Sequence, residues 1–149
     1  MKLVPSKIRF LLLPTLLGSV VFFAAVMNGI CVEKMVNKMA PPGNSYMKVS
    51  SIAAMPDFIP GLGTLYVEPS MLPSGPFHAY DRKGNLVSTI YMIPLNKISE
   101  QNDLKNLRMG AETVDHIDIC FDAGHPPMRE PHYRVIFWYV SPEKKAELK

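Results

Sequence analysis

The chain has 149 residues, with 16 Lys and Arg, 13 Asp and Glu and 2 Cys. That length holds one small cored domain plus a tail, and 14 prolines exclude a helical bundle. Lys2, Lys7 and Arg9 precede every acidic residue; without them the other 13 basic side chains balance the 13 acidic ones, so no basic face remains for a nucleic acid. Cys31 and Cys120 offer neither a disulfide framework nor a zinc motif, and Cys120 reads as a free buried thiol.

In chain order, residues 1–9 form a basic N-terminus and Phe10 to Val32 an uncharged run that ends at Glu33 and Lys34. As a helix with a rise of ~1.5 Å per residue the run spans ~35 Å, enough for a hydrocarbon core of ~30 Å. The basic flank predicts a cytoplasmic N-terminus and export of everything after Val32. An uncleaved signal anchor fits better than a cleaved signal peptide. The apolar centre is too long, Phe23 is too bulky for a cut after Ala25, and Ile30 before Cys31 is too bulky for a lipobox. Ala25 and Gly29 are either a small-xxx-small surface for another helix or two ordinary small residues. Residues 33–45, with Pro41, Pro42 and Gly43, form a tether, and 46–149 an exported domain.

Within that domain the pattern predicts strands over Tyr46 to Met55, Thr64 to Val67, Phe77 to Tyr80 and Leu86 to Ile93. The last two are joined by Asp81-Arg82-Lys83-Gly84-Asn85, a turn in which Gly84 and Asn85 tolerate positive φ. Ser99 to Leu107 reads as a short surface helix with Ser99 as N-cap. Val114 to Phe121 and His132 to Val140 are the most regular strands, and Ser141 with Pro142 opens a final short helix. The expected class is α+β: a transmembrane helix, then an antiparallel sheet, open or barrel-like, with one or two short helices.

Three segments together resemble a family of small exported bacterial domains of unknown function, typified by a Thermus protein. GLGTLYVEPSMLP (61–73) resembles its glycine, His-aromatic, Val-Asp/Asn-Pro stretch, and LVSTIYMIP (86–94) its Leu-x-x-x-Glu-Tyr/Pro-Met-Ile strand. The most specific, GHPPMREPHYRVIFWYVSPEKKAEL (124–148), resembles its Pro-Pro-Gly-Met-Pro-x-Pro-His-Tyr-Asp-x-His-Phe-Tyr block with a Ser-Pro-Glu-Glu helix behind it. Where that pattern carries His, Glu and a second His, this chain has Leu65, Ile90 and Ile136, and His132 alone remains. The resemblance thus implies a divalent-metal pocket in the family that is eroded here.

On the last strand His132, Arg134, Ile136 and Trp138 share a face, and on the one before it His116, Asp118 and Cys120 do. An antiparallel hairpin of the two would bring Asp118 and Asp122 near Arg134. His116, Asp118, His132 and Arg134 are therefore the ligand-pocket candidates. His116, His125 and His132 are metal candidates for zinc or copper, at spacings that match no close-ligand motif; the primary expectation is no cofactor. In the stiff loop GHPPMREP, Pro126, Pro127, Met128 and Arg129 are interface candidates, joined by Ala25 and Gly29 in the anchor. No G-x-S-x-G elbow or phosphate loop occurs, so no catalytic residue is assigned.

These features predict a non-enzymatic, single-pass accessory or scaffolding subunit of a bacterial inner membrane. Its periplasmic domain would dock on a larger membrane complex, with a respiratory or photosynthetic assembly as one host. The alternative is a tethered periplasmic binding module for a divalent metal or small apolar ligand; a small metal-dependent enzyme is the minor reading.

Overall fold

A computed structural model describes residues 36–98, 103–126 and 128–149. The expected cytoplasmic segment, the anchor with Ala25 and Gly29, Cys31, Ser99 and Pro127 lie outside the described residues. Among the described residues no helix is long and apolar enough to cross a membrane.

Strands β1 (Met47–Lys48), β2 (Thr64–Val67), β3 (Phe77–Tyr80), β4 (Leu86–Pro94), β5 (His116–Asp122) and β6 (His132–Trp138) make one antiparallel sheet in the order β1-β2-β3-β4-β6-β5. β5 follows β4 in sequence yet sits at the far edge, because the hairpin to β6 folds β6 back between them. Among the described residues β1 and β5 each have one strand neighbour, so the sheet is open rather than a closed barrel. The interior position of β4 explains its composition: Leu86 to Met92 is buried throughout, whereas β5 alternates between half-buried and exposed.

Register sorts the two faces. Leu65, Val67, Phe77, Ala79, Ile90, Met92, Arg134, Ile136 and Trp138 fall on one side. There the main core forms, closed over by Val49, Met128 and Leu148 from outside the sheet. The opposite side carries Tyr66, Tyr80 and Tyr139, packed with Val36, Ala40 and Tyr46 of the incoming chain.

Local chemistry sets the element ends. The Asp81 carboxylate accepts from the Lys83 and Asn85 N–H groups, each at 2.8 Å, and Gly84 supplies the positive φ of +83° that closes the β3–β4 turn; Asn85 needs none. Helix α1 (Pro142–Ala146) begins as expected, with Pro142 in its first turn and Ser141 Oγ accepting the Lys144 N–H.

Two elements differ from expectation. The first strand stops at Lys48 because Ser51 Oγ donates to the Lys48 carbonyl (2.7 Å) and Ala53 N–H to Val49 O (2.8 Å), which turns the chain inward and buries Val49. The helix expected up to Leu107 does not form over its described part, 103–107. Asn106 there takes φ +56°, a left-handed conformation that interrupts a helix, and Asp103 pairs with Lys105.

Candidate functional site

Between the core face and the segments over it lies a pocket of about 250 Å³. Leu65 of β2, Phe77 of β3 and Ile90 and Met92 of β4 form its floor; Val49, Met55, Ile59 and Leu62 form its roof. Its wall is almost wholly apolar except at one end, where His125 and Arg134 enter. Leu65 and Ile90 are both lining residues and keep that part of the wall apolar.

The polar end is built by the β5–β6 connection. Asp122 ends β5 opposite His132, and Arg134 sits two residues further along β6, opposite Cys120 and Met92. Arg134 Nη2 lies 3.6 Å from Asp122 Oδ2, while the buried Arg134 Nε–H has no partner among the described residues. Asp122 also accepts the Gly124 N–H at 3.0 Å. That hydrogen bond holds its carboxyl below the usual carboxylate range, and the charge of Arg134 acts in the same direction. Gly124 is required there: its φ is +117°, and a Cβ would fall 2.3 Å from the Arg129 carbonyl oxygen.

The loop then reverses tightly, with His125 N–H bonded to Met128 O at 2.7 Å. This returns His125 over His132, ring centroids 5.2 Å apart. Both imidazoles face a backbone carbonyl through Nδ1: His125 to Pro126 O and His132 to Glu130 O, each at 2.8 Å. A carbonyl only accepts, so each Nδ1 carries the proton and each Nε2 presents a lone pair. His125 Nε2 stands 3.9 Å from Asp122 Oδ2, and the fully buried His132 Nε2 has no partner among the described residues. One ligand atom from each of Asp122, His125 and His132 lies within 4.8 Å of the other two.

The sequence-derived residues thus divide. Asp122, His125, His132 and Arg134 meet at one end of the core face. His116 and Asp118 do not join them, because β5 carries them toward the other end. Asp118 accepts from Lys145 Nζ (2.5 Å) and Trp138 Nε1 (2.8 Å), tying α1 to the sheet; the Lys145 bond is the main reason its carboxyl is held low. His116 stacks on Trp138 and bonds Asp115. Cys120 is half-buried rather than buried, since β5 is an edge strand. Met128 is corrected as an interface residue: it is 3% exposed and plugs the core, because the tight reversal turns it inward. Pro126 and Arg129 remain exposed.

Sequence reasoning missed a second polar array on the opposite face. Fully buried His78 bonds Thr89 Oγ1 through Nδ1 (3.0 Å), and Thr89 Oγ1 bonds the Tyr139 hydroxyl (2.7 Å), which accepts the Gly110 N–H. Burial lowers the His78 pKa to about 4, so it is neutral at physiological pH. Only the alternation Phe77-His78-Ala79-Tyr80 hinted at it, and that pattern does not tell a buried His from an exposed one.

Compared with solved structures, the chain is similar to the crystal structure of hypothetical protein TTHB210 from Thermus thermophilus, at 42% sequence identity and a TM-score of 0.55. The match covers 64% of this chain and 87% of that one. The chain belongs to the TTHB210 family. No family model matches it, and no curated protein does. The TTHB210 relationship agrees with the expected Thermus-typified family of unknown function. It assigns no activity, since TTHB210 is itself a hypothetical protein.

Proposed function

We propose that the domain is a non-enzymatic binding module for a small apolar molecule, held in the pocket over the core face. The anchor expected over 10–32 would display it on the periplasmic side of a bacterial inner membrane. The observation that carries this reading is the apolar pocket of about 250 Å³ whose one polar end is lined by His125 and by Arg134, a side chain whose buried Nε–H has no partner among the described residues. That volume lies just below the ~300–1,000 Å³ of ordinary small-molecule sites, and an apolar wall with one or two placed polar groups is their usual lining. Asp122 already balances the charge of Arg134, so the matching ligand is an uncharged carbonyl compound rather than a carboxylate. A medium-chain ketone such as 2-octanone is a suitable probe. At roughly 0.5 kcal/mol per heavy atom it should bind with a Kd of about 0.5 mM.

In thermal unfolding of the anchored chain with chelator present, 2-octanone should raise the Tm in a saturable way. Leu65→Trp, which fills the pocket from β2, should remove that rise. A Tm unmoved by the ketone, or moved equally in Leu65→Trp, contradicts the reading.

The accessory-subunit reading is favoured by a different observation. Ile117, Ile119 and Phe121 project from edge strand β5 at 52%, 67% and 58% exposure, an apolar row beside unpaired backbone. A membrane complex docking there would cover both. Extraction in mild detergent should then yield a stoichiometric complex, and Ile119→Asp should release the chain from it with the Tm changed little, since an exposed edge position contributes little to the core. A chain that runs alone before any substitution contradicts this second reading.

A further inference from the structure

We propose that Asp122, His125 and His132 form a binding site for a divalent transition metal of the zinc or copper class, beside the polar end of the pocket. Three observations carry it. Both imidazoles are fixed through Nδ1–H on a main-chain carbonyl, His125 on Pro126 and His132 on Glu130 at 2.8 Å each, which is how metal-ligating histidines are usually oriented from behind. The lone pair this leaves on His132 Nε2 is fully buried and has no partner among the described residues, a costly arrangement for a side chain with only a structural role. Asp122 supplies the anionic oxygen: Oδ2 lies 3.9 Å from His125 Nε2, while the carboxylate is steadied by Gly124 N–H through Oδ1.

Two imidazole nitrogens and one carboxylate oxygen suit zinc and copper rather than calcium or magnesium, which take mainly oxygen ligands. With metal–ligand bonds of ~2.0–2.1 Å, tetrahedral ligand atoms stand roughly 3.4 Å apart. The present spacings, up to 4.8 Å, close to that by side-chain shifts of about 1 Å. Three protein ligands leave a fourth position for solvent or a small ligand. Arg134, 3.6 Å from Asp122 Oδ2, opposes a cation and moderates the affinity. His116, stacked on Trp138 and bonded to Asp115, takes no part.

The proposal shares Asp122 with the ketone reading but stands on the two imidazole nitrogens, and its test is run without ketone. The anchored chain, freed of any affinity tag and stripped with chelator, is titrated with zinc chloride by calorimetry. One equivalent should bind with a Kd below ~10 µM. His125→Ala and Asp122→Asn, both at partly exposed positions, should each weaken it at least about tenfold, while His116→Ala should leave it unchanged. Cobalt(II) in place of zinc should give the visible ligand-field absorption of a low-coordinate site, lost in His125→Ala. A Kd weaker than ~10 µM, or one that neither His125→Ala nor Asp122→Asn changes, overturns the proposal.

Discussion

Arg134 and His132 lie two residues apart on one strand, and each keeps a buried polar atom without a partner among the described residues. Neither arrangement is explained by packing alone, since a buried donor or lone pair left unpaired costs on the order of 1–3 kcal/mol. His78, on the other face, is the contrasting case: equally buried, but hydrogen-bonded within the protein through Thr89. Its folded pKa of about 4 lies below the ordinary ~6.5, so between those values the unfolded chain takes up a proton that the folded one does not. Stability should therefore fall as pH drops from about 6.5 to 4, by roughly 3 kcal/mol in all. Chemical denaturation at pH 7, 5.5 and 4.5 checks this, and His78→Gln should flatten the profile over that window. An equal slope in His78→Gln would show that other groups cause it. Side-chain roles are only partly legible in the sequence. Strand alternation and a hairpin suffice to bring Asp122 and Arg134 together. The pairing of His125 with His132 depends on a loop reversal that no spacing rule encodes, and Met128 departs from expectation because that same reversal turns it inward.

At the level of elements, the readable ones are those with local causes. β2, β3, β4 and β6 begin where the β-branched and aromatic runs begin, and Ser141-Pro142 starts α1 at the expected residue. The failures have tertiary or conformational causes: a 3₁₀ turn pulls Val49 under the sheet, and Asn106 in the left-handed region prevents a helix. α1 is only five residues long and cannot be stable by itself, so its role is to carry Leu148 into the core and Lys145 to Asp118. The Gly61 N–H to Leu148 O bond, at 2.7 Å, fixes the same end of the chain beneath the pocket roof. Leu148→Ala should accordingly cost about 2–3 kcal/mol, far more than a terminal residue ordinarily does. Equilibrium unfolding measures it, and a loss under ~0.5 kcal/mol would mean that the C-terminus is not part of the fold's closure.

For the whole molecule, the fold follows from an antiparallel sheet that buries both faces unequally. One face is sealed by tyrosines and the incoming chain; the other is only partly filled, and the unfilled volume is the pocket. The order β4-β6-β5 places the β5–β6 connection at one end of that volume, so His125 of the loop meets Asp122 of β5 and His132 and Arg134 of β6 there. Antiparallel architecture is readable in the sequence, but an open sheet rather than a barrel is not, because closure depends on whether β1 and β5 can meet. Met55 and Met92 line the pocket, whereas Met71 and Met109 are exposed elsewhere, which gives a direct readout. With the anchored chain in lipid nanodiscs and its methionine methyls labelled with ¹³C, titration with 2-octanone should shift the Met55 and Met92 resonances in one saturable process and leave Met71 and Met109 in place. Unmoved Met55 and Met92 signals, or uniform shifts at all four, would contradict a ligand-binding pocket.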